Sequence, residues 1–265
     1  MVVLGIDAAW TVREPSGVAL ISKSGSRWRL LGAAPSYETF IALAGSANPS
    51  NDRPRGSEPD PSELLSAVAR IADVEVDLIA VDMPLSRLPI TGRREADNAV
   101  SRVYGARKCG THTPSVVRPG PISDRLRKGF EGAGYLLSTQ QVARRSLLEV
   151  YPHPALVELY SAPERLPYKL SKIRNYWPSL SPSDRRAKLL VVWGGIVNAL
   201  EVEIEGVERM LPPLDISAPT WRLKAYEDML DAVVCTWIGA AAIEGNCIAH
   251  GDEDAAIWIP TPFRR

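Results

Sequence analysis

Two short apolar runs, each closed by an aspartate, constrain this chain more than any other feature of its sequence. Residues 2–6 read Val-Val-Leu-Gly-Ile and end at Asp7; residues 77–81 read Asp-Leu-Ile-Ala-Val and end at Asp82, followed by Met83-Pro84-Leu85. Continuous apolarity over so short a span, with β-branched residues, is the pattern of strands covered on both faces. Pro84 cannot donate to a ladder, so it stops the second strand and turns the chain out at its carboxyl end. If the two strands are parallel neighbours, both carboxylates emerge on one edge of the sheet, the edge where open α/β sheets place ligands.

Around these runs the chain alternates between strand and helix patterns. Residues 17–22 and 28–32 read as strands joined by a turn at Ser24-Gly25-Ser26, which with the first run predicts a three-stranded antiparallel meander. Residues 45–61, rich in Gly, Ser, Asn, Asp and Pro, read as a mobile loop. A helix is expected over 61–72, capped by Ser62 or Asp60. A less regular stretch follows, with helical patterns near 94–104 and 124–130. A short strand over 146–150 closes on Tyr151-Pro152-His153-Pro154. Long helices are expected over 183–200, with Ser183 as cap, and over 220–244, stopped by Gly245. Residues 257–260 form a last strand or extended segment. The sum is one α/β domain over 1–265, a mixed sheet flanked by helices, with a helical insertion at about 87–145.

Asp228 and Asp231 are three residues apart on the last long helix and share a face. Asp231 lies between Leu230 and Ala232-Val233-Val234-Cys235, where a buried, unpaired carboxylate is costly. Four carboxylates gathered near one sheet edge repel unless a cation neutralises them, and Mg²⁺ or Mn²⁺ prefers such oxygen ligands. Two such ions about 3.5–4 Å apart can activate water and stabilise the leaving oxygen in phosphodiester hydrolysis. Glu149 ends its strand as the two aspartates do, and is either a further ligand or a structural hydrogen-bond acceptor. His153 is a candidate proton shuttle or phosphate contact, or else a rigid turn element. Lys169 can pair with phosphate or with the acidic cluster. Taken singly, each aspartate also suits a turn, a cap or a solvated helix face; the combination points to a metal site.

Those residues and their neighbours resemble the family called domain of unknown function (DUF) 429. The resemblance is carried by Gly5-Ile6-Asp7-Ala8-Ala9-Trp10 with Gly17-Val18-Ala19, and by Val81-Asp82-Met83-Pro84-Leu85 followed by Arg94 and Asp97. It continues through Glu149-Val150-Tyr151-Pro152-His153, Tyr168-Lys169, the stretch from Glu227 to Cys235, and Ile257-Trp258-Ile259-Pro260. The family is considered similar to RNase H-like nucleases, in which acidic residues on the first strand, the fourth strand and a late helix bind catalytic metal. The resemblance therefore implies an RNase H-like fold and a metal-dependent nuclease or phosphodiesterase. Asp7, Asp82 and Asp231 would be catalytic, with Asp228 as their helix partner and Mg²⁺ or Mn²⁺ as cofactor; Glu149, a candidate from its place at a strand end, would add a further metal ligand.

Lys+Arg and Asp+Glu both number 31, so overall charge does not indicate a polyanionic partner. Its distribution does: between 87 and 145 lie twelve basic and four acidic residues, an excess of eight. That asymmetry fits a surface facing a nucleic acid or nucleotide, with Arg87, Arg94, Lys169 and His153 as candidate contacts, unless the arginines pair locally. Three cysteines and three histidines lack zinc-site spacing. With no apolar run long enough to span a bilayer and no leader pattern, the expectation is a soluble cytoplasmic protein without membrane contact. Two other readings keep the same residues: an ATP-binding phosphotransferase of the actin-like branch, and a non-catalytic RNase H-like binding module. The former normally has two related halves, and no internal repeat is present; a P-loop with its lysine is also absent.

Overall fold

The two apolar runs are adjacent parallel strands at the centre of a mixed sheet. The computed structural model describes residues 1–45 and 52–262. Its strands are β1 (Val2–Asp7), β2 (Gly17–Ser24), β3 (Arg27–Ala34), β4 (Leu78–Val81), β5 (Leu136–Leu137), β6 (Ser146–Val150), β7 (Ile204–Glu205), β8 (Cys247–Gly251) and β9 (Ala256–Pro260). Their order is β7-β3-β2-β1-β4-β6-β9-β8, with β5 beside β6. The meander β1-β2-β3 is antiparallel, while β1-β4, β4-β6 and β6-β9 are parallel. The helices are α1 (Tyr37–Leu43), α2 (Pro61–Ala72), α3 (Glu95–Tyr104), α4 (Pro121–Gly132), α5 (Pro152–Tyr160), α6 (Ile173–Tyr176), α7 (Pro182–Glu203), α8 (Val207–Met210) and α9 (Thr220–Ile243).

The central strands are apolar throughout because helices cover both faces. Side chains alternate along a strand, so Val3, Leu78, Ala80, Leu148 and Val150 face a core built with α5, α7 and α9. Val2, Leu4, Ile6, Ile79 and Val81 face the opposite core, with Phe40, Leu64, Val68 and Phe130 from α1, α2 and α4. A smaller cluster packs Ala96, Val100 and Tyr104 of α3 against Ile257 and Ile259 of β9.

Several expectations are narrowed or corrected. Of the two caps expected for α2, Asp60 is the one present, accepting from the backbone N–H groups of Ser62 and Glu63. Ser181, rather than Ser183, caps α7, because Pro182 already occupies the first helical position. Tyr151-Pro152-His153-Pro154 closes β6 but opens α5, so both prolines lie in a first helical turn, where no intrahelical donor is lost. Strands β5, β7 and β8 and helix α1 were not expected; β5 and β7 are two residues long and take their definition from neighbours. The expected mobile loop at 45–61 falls in part on 46–51, outside the described residues; 52–60 carry no helix or strand.

Candidate functional site

Register brings Asp7 and Asp82 together. Ile6 is paired with Val81, and the Asp82 N–H donates to the Ile6 carbonyl at 2.8 Å. Both aspartates continue the face of Val3, Leu78 and Ala80, which α9 covers. Helix α9 comes close enough to reach them because Gly5 and Gly17 lie beneath it. A Cβ at Gly5 would meet the Ala232 carbonyl at 2.4 Å, and one at Gly17 the Asp228 carbonyl at 2.0 Å.

Helix α9 contributes three carboxylates. Glu227, Asp228 and Asp231 are 2%, 2% and 0% exposed. The consecutive residues Tyr168, Lys169 and Leu170 clamp two of them. The Tyr168 hydroxyl donates to Asp231 at 2.8 Å, and Lys169 donates to the other Asp231 oxygen. The Leu170 N–H donates to Glu227 at 2.5 Å. The Trp193 indole of α7 holds this segment from behind, donating to the Tyr168 carbonyl at 2.8 Å. Lys224 reaches one and a bit turns along α9 to donate to Glu227 at 2.9 Å and Asp228 at 2.5 Å. The second Asp228 oxygen is buried and has no hydrogen-bond partner.

Five carboxylates thus surround two lysines. Burial, then the nearby Asp231, lifts the Asp7 carboxyl to about 6, against the lowering pull of Lys169 and Lys224. Burial and Asp7 lift Asp82 well above the usual carboxylate range. Burial likewise lifts Asp228, although Lys224 opposes it. For Lys169 the carboxylates outweigh burial, and its pKa rises, so it stays charged.

Glu149 lies apart from this group. It is cross-strand from Val81 and shares the face of Leu147, opposite to that of Asp82. There it accepts two hydrogen bonds from Arg94, at 2.6 and 2.7 Å, and one from the Leu85 N–H at 2.7 Å. Arg94 also pairs with Asp97 and donates to the Leu85 carbonyl, which pins the turn after Asp82. Burial raises the Glu149 carboxyl, and Arg94 opposes the rise. Arg87 donates to the Leu137 carbonyl and lines a separate cavity.

A cavity of about 270 Å³ opens on the site, lined among others by Asp82, Glu149, His153, Lys169, Lys224 and Glu227. Burial first, then Arg165 and Lys169, push the His153 imidazole well below its ordinary pKa, so it is uncharged at pH 7; its Nδ1 is buried without a partner. A larger cavity of about 660 Å³, walled by Trp28, Trp237 and Glu244, contains none of these carboxylates.

The basic segment between β4 and β6 is largely paired. Eight of its twelve cations form ion pairs, six of them with carboxylates outside the segment, such as Glu58, Glu75, Glu158 and Glu164. Sequence reasoning passed over Glu227, Lys224 and Arg165. The first two had a signal: Lys224, Glu227, Asp228 and Asp231 follow three- and four-residue spacing on one helix face. Arg165 had none.

The oxygen-rich donor set and the orphaned Asp228 oxygen suit a hard divalent cation. Asp228 keeps one oxygen without a donor although Lys224 pairs with the other, and no hydrogen bond to the Asp7 or Asp82 carboxyl is found among the described residues, whereas both oxygens of Asp231 and of Glu149 already have donors. Among the described residues no three His, Cys, Asp or Glu side chains form a ready-made cage for an ion, so an ion would be held there only after side-chain rearrangement.

A family model described as protein of unknown function (DUF429) matches residues 5–256. No curated protein and no solved structure gives a significant match. Among the described residues, no helix is long and apolar enough to cross a membrane.

Proposed function

The chain belongs to the DUF429 family, and from its site we propose that it is an RNase H-like, metal-dependent phosphodiester hydrolase acting on a nucleic acid or nucleotide. The carrying observation is the charge imbalance at the sheet edge: Asp7, Asp82, Glu227, Asp228 and Asp231 against Lys169 and Lys224. The sheet order supports the fold reading, with an antiparallel meander on one side of β1 and parallel strands on the other. So does the placement of acids at the end of β1, just after β4 and on the late helix α9.

Asp7, Asp82 and Asp228 would hold Mg²⁺ or Mn²⁺. A bound divalent ion in such a site supplies water activation and stabilisation of the leaving oxygen. The water oxygen bonds to phosphorus, the ester P–O bond breaks, and the departing oxygen takes up a proton. Lys169 and Lys224 present fixed cations to charge that develops on the phosphoryl oxygens. His153, uncharged, offers a hydrogen-bonding partner rather than a charge. Arg94 and Glu149 act through the turn that carries Asp82, as positioning residues.

The test is hydrolysis of phosphodiesters (DNA, RNA, junctions, dinucleotides) with Mn²⁺ beside Asp7→Asn and Asp82→Asn. Metal-dependent turnover that both variants abolish supports the proposal. Absence of turnover on every substrate, at full metal occupancy, would remove it.

A further inference from the structure

We infer that the substrate is a short, unpaired phosphodiester of about dinucleotide size carrying a terminal phosphate, and that Arg165 and Lys172 receive that phosphate. This rests on the hydrolytic reading and narrows its substrate class.

Three observations carry it. The first is size. The cavity beside the acidic group, lined by Asp82 and Glu227 among others, has about 270 Å³, just below the ~300–1,000 Å³ usual for small-ligand sites. That space takes one nucleotide unit of the dinucleotide, and the second lies at its open mouth. A duplex carries its phosphates on the outside of a stiff rod, with a persistence length of about 150 base pairs, and cannot fold one into such a cavity.

The second is the distribution of unpaired cations. The basic segment that would have tracked a long backbone is mostly tied to carboxylates. Arg165 and Lys172 line the cavity, and neither forms an ion pair among the described residues. The Arg165 Nε is buried without a hydrogen-bond partner, as is Nδ1 of His153 in the same wall. A guanidinium donor left unsatisfied in a cavity wall is matched by a phosphate oxygen. The third is the presence of Trp10 and Tyr151 in the lining, which offer aromatic faces to a base.

The experiment compares a 5′-phosphorylated dinucleotide, the same dinucleotide without its phosphate, and a duplex. Each is assayed with Mn²⁺ on the unmodified protein, Arg165→Ala, Lys172→Ala and the control Arg144→Ala, whose side chain is 84% exposed. Thermal shift with a nucleoside monophosphate in EDTA is measured on the same proteins. The expected result is a preference of ~tenfold or more in kcat/KM for the phosphorylated dinucleotide, lying in KM. It should collapse toward unity in Arg165→Ala and Lys172→Ala and persist in Arg144→Ala. The monophosphate should raise the Tm of the unmodified protein and not of Arg165→Ala. Lys172, being exposed, keeps the test readable if Arg165→Ala does not fold. Equal or faster cleavage of duplex, or indifference to the terminal phosphate, overturns the inference. No cleavage of any substrate with monophosphate binding intact overturns the hydrolytic reading and leaves the anion subsite; loss of both overturns both.

Discussion

Arg94 donates from both terminal guanidinium nitrogens to the two oxygens of Glu149, at 2.6 and 2.7 Å, with the side chains only 8% and 5% exposed. The pair joins the start of α3 to the end of β6, and through Leu85 it fixes the turn that carries Asp82. Removing one member of a buried ion pair leaves the other uncompensated. Arg94→Ala is therefore expected to lower unfolding free energy by about 3–5 kcal/mol. Urea denaturation measures this, and a loss below about 1 kcal/mol would show the pair to be solvated. Glu149→Gln, which keeps an acceptor for the Leu85 N–H but loses the charge opposite Arg94, is expected to weaken Mn²⁺ binding less than Asp82→Asn does, because it acts only through the turn that carries Asp82.

Asp7 gives the protein a pH dependence of definite sign. Its carboxyl is raised from 3.8 to about 6 in the folded state, so the folded chain binds the proton more tightly than the unfolded chain. That contribution to stability is full below the unfolded value and is lost as pH rises through the folded one. Without metal, Asp7→Asn should thus gain Tm relative to the unmodified protein between pH 4.5 and pH 7.5, by several degrees at ~2–4 °C per kcal/mol. A difference that stays flat across that window contradicts the assignment.

Metal binding should displace protons. Asp7, Asp82 and Asp228 all have raised carboxyls, and a cation binds their ionised forms. Calorimetry of Mn²⁺ binding in two buffers of different ionisation enthalpy should report proton release at pH 6, near the raised Asp7 value of about 6. Asp228→Asn should weaken binding by at least the ~10–100-fold seen when groups supporting a metal are lost. Unchanged affinity would take Asp228 out of the ligand set.

The Tyr168 hydroxyl donates to a fully buried Asp231 oxygen. Tyr168→Phe removes that bond without removing the ring, and a hydrogen bond to a charged group contributes about 1.5–3 kcal/mol. A stability loss of that size is expected by denaturant titration, with the T-shaped contact to His153 retained. A loss of a few tenths would mean water replaces the hydroxyl.

Gly17 sets the approach of α9 to β2. A Cβ there lies 2.0 Å from the Asp228 carbonyl, a backbone atom. Gly17→Ala should therefore lower Tm and abolish the Mn²⁺-induced shift by lifting Asp228 from the sheet edge. Gly92→Ala, where nothing lies within 4 Å, serves as the comparison. Equal behaviour of the two variants would sink the idea that backbone contact positions the acids.

The central architecture was legible because it is written in local pattern. The apolar runs before Asp7 and Asp82, the meander turn and helix 61–72 each carry their own periodicity or cap, and the structure has them at nearly the expected positions. Elements without such a signature were not legible: β5 and β7 are two-residue pairings, and α5 begins in a Pro-His-Pro sequence that reads equally as a turn.

The same division runs through the site. Sequence alone determined that Asp7 and Asp82 each close an apolar strand pattern and that Asp228 and Asp231 share a helix face, because strand ends and helical spacing are local properties. Tertiary structure decided how these groups are satisfied. Register turned Glu149 to the opposite face and into the grip of Arg94. The 168–170 segment gave Asp231 and Glu227 their donors across some sixty residues of chain. Distant carboxylates absorbed much of the positive segment that had suggested a long polyanion. A charge is visible in one dimension; its partner is chosen in three, since Coulomb attraction and desolvation depend on distance through the folded protein and not on separation along the chain.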